Sequence, residues 1–367
     1  MTFNKLTIIL ALSLIIINKK RQKKDMFESK DYLKLQTRIL LTFLVTCLVF
    51  NFKAQAQSVE VVAQRGEGIY RLLSRHGLPA NQYMDSFIEL NKDLLGRNNS
   101  LYAGRKYKLP DKGKVGVVAK GGQVLKFDIF GKEYAEIDII DNKLKGTVYY
   151  LVAGHGGPDP GAVGYYNKKQ LCDDEYAYDV TLRLARNLIQ HGATVYMIIR
   201  DPNDGIRNDS YLKPDKDEVC YPDETIPINQ LRRLKQRTEA VNELYPKYRG
   251  KFQRMVAIHV DSRSRGQNID VFFYHDKSSA SGRKAALILQ RKFQTKYDQH
   301  QPGRGYKGTV SDRNLYVVRN SYPVAVYIEL GNINHTRDQQ RFIIPSNRQA
   351  LANWLYEGLL EDYLSSK

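Results

Sequence analysis

The segment from Val148 to Val152 (VYYLV), followed at once by Ala153 to Gly157 (AGHGG), decides the fold class of this 367-residue chain. Five apolar residues without polar alternation are typical of a strand buried on both faces, the strand type of parallel sheets. The glycine-rich turn then places His155 directly after the strand. In open α/β sheets, reactive side chains collect in the loops that follow such strand ends.

Strand-like and helix-like segments alternate through the rest of the chain on the C-terminal side. The predicted strands are Val148–Val152, Ala193–Ile199, Met255–Ile258, Ile269–Tyr274, Leu315–Val318 and Val324–Ile328, and the predicted helices are Tyr178–Leu188, Leu231–Leu244 and Gln349–Tyr363. This alternation predicts an α/β domain over residues 147–367, built on a mixed twisted sheet with helices on both faces.

Three of the predicted strand ends carry residues that bind metals or move protons. His155 follows the first, His259 ends the third, and Glu329 ends the last. The acidic triplet from Asp173 to Glu175 begins the first helix. Two imidazoles and one carboxylate, with a fourth position left for water, form a ligand set for catalytic zinc, and a further carboxylate can move protons.

The motifs around these residues resemble those of the zinc-dependent N-acetylmuramoyl-L-alanine amidases of the amidase-3 family. They are Ala153 to Gly164 (AGHGGPDPGAVG), His191 to Asp201 (HGATVYMIIRD), Leu234 with Arg237, Ala257 to Asp261 (AIHVD), and Tyr316 to Asn332 with its Glu-Leu-Gly-Asn ending. The resemblance covers residues 145–365 in order and spacing. It implies cleavage of the amide between N-acetylmuramic acid and the L-alanine of the stem peptide.

Carried over residue by residue, the resemblance implies that His155, Glu175 and His259 bind Zn²⁺ and that Glu329 is the catalytic carboxylate. The neighbours of Glu175 in the triplet leave the choice of acidic ligand open, because acidic residues also complement a helix N-terminus. No G-x-S-x-G elbow is present, and Cys172 has no convincing histidine partner, so covalent catalysis has little support.

Residues 59–110 form a second, smaller unit. The pattern predicts strand, helix, helix and strand, ending at Tyr107 to Pro110, and this order resembles a LysM domain, a small α+β fold that binds N-acetylglucosamine-containing glycans. The family's G-D-T-L start is Gly66-Glu67-Gly68-Ile69 here. Residues 111–146 predict a β-rich linker, a few strands or a hairpin.

Residues 1–56 contain two short apolar runs, and the second ends in Ala54-Gln55-Ala56. A basic flank, about a dozen apolar residues and an A-x-A ending are typical of a secretory signal peptide. A start at Met26 explains the first run; a two-pass membrane anchor is the alternative. We therefore expect an exported protein of the periplasm or cell wall, without a stable membrane anchor after cleavage.

Export would leave Cys172 and Cys220 in an oxidising compartment, where they could pair. Cys220 lies in a polar stretch, residues 202–228, that is longer than the corresponding connection in the family. One hypothesis is that this stretch shapes the cleft and is pinned by a Cys172–Cys220 disulfide; the alternative is a surface insertion.

The net charge of +18 contains a terminal contribution, because residues 1–56 carry ten Lys and Arg against three Asp and Glu and the remainder has +11. A basic surface suits an anionic polymer such as cell wall. Nucleic-acid binding is the weakest interpretation, because no recognition motif accompanies the dispersed basic residues.

Peptidoglycan is the expected partner, with a protein activator left open. The alternatives are a binding protein with an inactive amidase domain and a zinc peptidase acting within the stem peptide.

Overall fold

The computed structural model describes residues 59–78, 80–96, 99–110, 124–262 and 270–367. The predicted leader, residues 1–56, and most of the N-terminal half of the predicted linker lie outside the described residues. Among the described helices, none is both long and apolar enough to cross a membrane.

The small unit has the predicted element order. Strand β1 (Glu60–Val62) pairs antiparallel with β2 (Lys106–Lys108), and helices α1 (Ile69–Arg75) and α2 (Ala80–Asn91) lie between them in the chain. Leu72, Phe87 and Tyr107 belong to a hydrophobic core of its own. The amide of Asn91 donates to the carbonyls of Phe87 and Lys108 and accepts from Lys108 N, so it ties the end of α2 to β2.

A short hairpin precedes the large domain. Strand β3 (Val124–Lys126) pairs antiparallel with β4 (Glu136–Asp138), as the β-rich composition of this stretch predicts.

A mixed six-stranded sheet forms the centre of the large domain. Its spatial order is β14 (Val310–Asp312), β13 (Phe272–His275), β15 (Val324–Asn332), β12 (Phe252–Asp261), β5 (Thr147–Ala153) and β8 (Thr194–Met197). The four strands from β15 to β8 are mutually parallel, and β13 runs antiparallel to β15. All seven residues of β5 are buried, which explains the uninterrupted apolar run in the sequence.

Helices flank this sheet on both faces, as predicted. They are α3 (Asp173–Gln190), α4 (Gln230–Leu244), α5 (Ala280–His300), α6 (Tyr316–Asn320), α7 (Thr336–Ile343) and α8 (Pro345–Leu364). Helix α8 packs between α3 and α5, while α4 packs with α6. Small hairpins complete the domain: β6 (Val163–Tyr166) pairs with β7 (Lys169–Cys172), and β9 (Ile199–Arg200), β10 (Val219–Cys220) and β11 (Glu224–Thr225) form a three-stranded sheet.

One predicted strand is wrong. Residues Leu315–Val318 lie at the start of the short helix α6, with Val317 and Val318 buried. Four apolar residues fit a strand and a buried helical turn equally well, and the packing of this segment against α4 and β15 selects the helix.

Candidate metal centre and active site

The candidate site lies at the carboxyl ends of the parallel strands β5, β12 and β15. His155 follows β5 in the glycine-rich turn, with a positive φ of 61°, a conformation that residues other than glycine adopt rarely. His259 and Glu329 are direct neighbours in the register of β12 and β15. Three of the four predicted site residues therefore lie at adjacent strand ends.

Asp173 completes the group. One donor atom from each of His155, Asp173 and His259 lies within 4.8 Å of the others. The Asp173 Oδ2 atom is 3.1 Å from His155 Nε2 and 3.7 Å from His259 Nδ1. Its other oxygen, Oδ1, accepts a hydrogen bond of 2.8 Å from Val260 N, which directs Oδ2 towards the two rings.

Two glycines beside these side chains leave the space that they occupy. A Cβ atom on Gly154 would lie 2.3 Å from His259 Nδ1. A Cβ atom on Gly161 would lie 2.5 Å from the His155 ring and 2.7 Å from the Asp173 Cβ, and its φ of +68° also favours glycine. The glycines of the motif thus allow close packing of all three side chains.

Glu175, which the sequence predicts as the acidic metal ligand, is not brought to the histidines. It is buried elsewhere: its Oε2 accepts from the Arg207 guanidinium at 2.8 Å and its Oε1 accepts from Asp215 N at 3.1 Å. Each residue of an α-helix advances about 100°, so positions 173 and 175 point in very different directions. Asp173 therefore occupies the place that the sequence analysis gave to Glu175.

Sequence reasoning also missed a chain of polar groups behind His155. Its Nδ1 lies 2.8 Å from Asp159 Oδ2, and the same carboxylate oxygen accepts from Arg233 at 2.6 Å. The guanidinium of Arg237 donates to the His155 carbonyl at 3.1 Å. A visible signal was Asp159 itself, which lies four residues after His155 in the quoted motif; Arg233 is 74 residues further along the chain.

The electrostatics differ between the two histidines. Burial disfavours the charged ring of His155, but the adjacent Asp173 and Asp159 outweigh it and raise its pKa to about 10. Burial lowers the pKa of His259 to about 4, although Asp173 acts in the opposite direction. The two carboxylates beside His155 thus favour a positive charge at this position.

Glu329 has the environment of a proton-transfer group. Burial raises its pKa well above the ordinary value, and Asp173 and Asp261 raise it further. Its Oε2 atom is buried and has no hydrogen-bond partner within the described part of the chain. The arrangement leaves one oxygen of Glu329 free to accept or deliver a proton.

The structure does not form the hypothesised disulfide: Cys172 and Cys220 are buried free thiols. Other contacts hold the stretch 202–228 against α3 and against the turn after β5. Leu212 N donates to the Tyr176 hydroxyl, Arg207 N donates to Asp179 Oδ1, and Glu218 Oε2 accepts from Gly157 N at 2.6 Å. The last of these contacts places the stretch beside the turn that carries His155.

The sequence profile of the N-acetylmuramoyl-L-alanine amidase family (Amidase_3) matches residues 150–361, more than half of the chain. This protein belongs to that family. The match includes His155, Asp173, His259 and Glu329.

Curated relatives share 24% identity with this amidase-family chain. An uncharacterized cell wall amidase of Bacillus anthracis aligns over 61% of the chain and 36% of its own length. The probable cell wall amidase LytH of Staphylococcus aureus aligns over 59% of each. The chain thus spans between about a third and three-fifths of the length of these relatives.

Two solved amidase structures are also similar to this chain. The CwlD amidase of Clostridioides difficile, determined in complex with the GerS lipoprotein, has 17% identity and a TM-score of 0.46, covering 61% of this chain and all of that one. The catalytic domain of CwlV from Bacillus (Paenibacillus) polymyxa has 21% identity and a TM-score of 0.43. The match covers 60% of this chain and 99% of that one.

Proposed function

We propose that this protein is a peptidoglycan hydrolase that cleaves the amide between the lactyl group of N-acetylmuramic acid and the L-alanine of the stem peptide. The observation that carries the proposal is the convergence of His155, Asp173 and His259 next to Glu329 within the region that matches the amidase family. A member of this family with an inactive catalytic domain would not need these four groups together.

The donor set fits Zn²⁺. Two imidazole nitrogens and one carboxylate oxygen, all within 4.8 Å of one another, are a ligand combination that catalytic zinc uses. His155, Asp173 and His259 would hold the ion, with Asp173 in the place of the expected Glu175. Zinc bound here would polarise the amide carbonyl and make a water molecule more acidic.

Glu329 would move the proton. Its raised pKa and unpartnered Oε2 suit a general base that removes a proton from the attacking water. The oxygen of that water adds to the amide carbon, the carbon–nitrogen bond breaks, and Glu329 delivers the proton to the departing amino group of alanine. Asp159 and Arg233 would hold the His155 ring in the orientation that binding requires.

The remaining predictions complete the proposal. The unit at residues 59–110 would act as a LysM-like glycan-binding domain, and residues 1–56 as a cleaved leader that exports the enzyme to the periplasm or cell wall. The substrate polymer would be the main partner. A protein activator, which the sequence left open, is a further candidate partner.

The test is mass spectrometry of purified peptidoglycan digested by the protein from residue 57 onward, with Glu329→Gln as the matched inactive variant. We expect free stem peptides that begin with L-alanine from the wild-type protein, and a loss of release in the variant of at least about 100-fold. Zinc content measured on both proteins controls for folding.

Two results would reject the proposal. Products cut inside the stem peptide would identify a peptidase. Equal release by Glu329→Gln and the wild type would remove Glu329 from the mechanism.

A further inference from the structure

A second group of acidic side chains lies beside the candidate zinc site and is not used by it. Asp174, Glu175 and Glu218 each place a carboxylate oxygen within 4.8 Å of the other two, and Asp201, Asp215 and Glu218 do the same. Glu218 belongs to both groups. We refer to these five residues as the acidic cluster; four of them are almost fully buried.

The cluster is short of positive charge. Within the described ranges, the ion pair that reaches it comes from Arg207, which binds Glu175 Oε2 at 2.8 Å. Backbone amides supply further donors: Gly157 N to Glu218, Asp215 N to Glu175, and Asn203 N and Asp204 N to Asp201. One guanidinium against five carboxyl groups leaves most of the cluster without a counter-charge, and buried charges in proteins are paired or coordinate metals.

A second observation is a buried carboxylate oxygen of Asp174. Asp174 is 2% exposed, and its Oδ1 accepts from Glu175 N. Its Oδ2 is fully buried and has no hydrogen-bond donor among the residues that the structure describes. A buried carboxylate oxygen without a donor is rare, because leaving such an atom unsatisfied is costly.

The spacing fits a hard cation with oxygen ligands. Ca²⁺ binds six to eight oxygens at 2.3–2.6 Å, so two ligands on opposite sides of the ion are about 5 Å apart. Carboxylate oxygens within 4.8 Å of one another can therefore share one ion. Mg²⁺ requires a tighter octahedron and retains several waters, which makes an all-carboxylate protein cage a calcium site rather than a magnesium site.

We propose that the group of Asp174, Glu175 and Glu218 within the acidic cluster binds one Ca²⁺, with Asp174 and Glu218 as its central ligands. The ion would join the start of α3, which carries Asp173, to the stretch 201–218. Because Glu218 also accepts from Gly157 N, the bound ion would fix the turn that holds His155. Its role would be structural, securing two walls of the zinc site without taking part in the reaction.

The test is calcium binding by the zinc-loaded full chain after removal of calcium, measured at pH 7.5 by isothermal titration calorimetry and thermal unfolding. Zinc loading keeps His155, Asp173 and His259 occupied, so that calcium reports on the cluster. We expect one Ca²⁺ per chain. At about 100 times the dissociation constant, Tm should rise by roughly 5–10 °C.

Asp174→Asn and Glu218→Gln should lose this rise, and their calcium-free Tm should equal or exceed that of the wild type because the substitution removes repulsion. Asp209→Asn, an exposed residue in the same stretch, is the matched control and should keep the rise. Absence of a calcium effect in the wild type, an equal effect in Glu218→Gln, or an equal effect of Mg²⁺ would overturn the proposal.

Discussion

Asp173 and Glu175 are two positions apart at the start of α3, and the difference between them decides which carboxylate faces the histidines. Asp173 Oδ1 is held by Val260 N and its Oδ2 faces both rings, whereas Glu175 is held by Arg207. If a motif is aligned two residues out of place on a helix, the side chain assigned to the site points about 200° away from the correct direction. The sequence predicted an acidic side chain beside the two histidines, but not which residue of the acidic triplet it is.

The structure therefore predicts opposite results for two conservative substitutions. Asp173→Asn should lower zinc affinity by at least about 100-fold, since loss of a direct ligand costs more than loss of a supporting contact. Glu175→Gln should retain zinc, because its carboxylate lies apart from the histidines. Competition with a chelator of known affinity measures both. The reverse pattern would restore Glu175 as the ligand.

Arg233 and Asp159 give a second prediction at the residue scale. Arg233→Ala should weaken zinc binding by about 10–100-fold, the usual effect of removing an outer contact that orients a ligating histidine. Arg232→Ala is the matched control, because Arg232 is exposed on the same helix while Arg233 contacts Asp159. If both variants bind zinc like the wild type, the contacts from Arg233 through Asp159 to His155 do not position the His155 ring.

Contacts between elements explain why α3 holds its place. Asp179 is fully buried on α3, and its Oδ2 accepts from Arg183 at 2.8 Å and from Arg348 of α8 at 2.6 Å. Its Oδ1 accepts from Arg207 N in the stretch 202–228. One carboxylate thus connects α3, α8 and the polar stretch, without the disulfide that the cysteine positions had led us to consider.

Asp179→Asn should lower the free energy of unfolding by about 3–5 kcal/mol at pH 7, because it leaves buried arginines without their counter-charge. Burial raises the pKa of Asp179, but Arg183 and Arg348 outweigh it and hold the pKa below 3.8. This stabilisation is therefore complete above pH 3.8 and is lost as the pH falls through the lower folded-state pKa.

Denaturant unfolding at pH 7 and below pH 3 measures the effect, and Asp298→Asn on the exposed face of α5 serves as control. The free energies of unfolding of Asp179→Asn and the wild type should differ less below pH 3 than at pH 7. A difference that is the same at both pH values would contradict it.

The elements that the sequence predicted best are those whose local pattern leaves one solution. Helix α5 (Ala280–His300) was not predicted, whereas parts of α3, α4 and α8 were. Strand β5 was predictable because its uninterrupted apolar run indicates burial on both faces. Residues 315–318 were not, since a short apolar run has no period. His155, His259 and Glu329 were predictable as strand-end residues. Arg233 was not, because its contact with Asp159 depends on how distant elements pack.

At the scale of the whole molecule, the described residues comprise a small β–α–α–β unit and a large α/β domain, and each has its own hydrophobic core. Separate cores are typical of units that fold independently. If the small unit binds glycan strands, its effect should appear on the insoluble polymer, where binding raises the local enzyme concentration.

Removal of residues 59–123 should therefore lower the rate on intact peptidoglycan by about 10-fold or more and leave the rate on soluble muropeptides within about 2-fold of the wild type. Sedimentation of an inactive Glu329→Gln protein with peptidoglycan, with and without these residues, measures binding directly. Equal sedimentation and equal rates would show that the small unit is a spacer.

The central claim is that His155, Asp173 and His259 hold zinc beside Glu329. Anomalous diffraction at the zinc absorption edge, from crystals of the zinc-loaded protein, tests it most directly. The account predicts one peak about 2.0–2.2 Å from an atom of each of the three side chains. A peak in the acidic cluster instead, or one coordinated by Glu175, would contradict it.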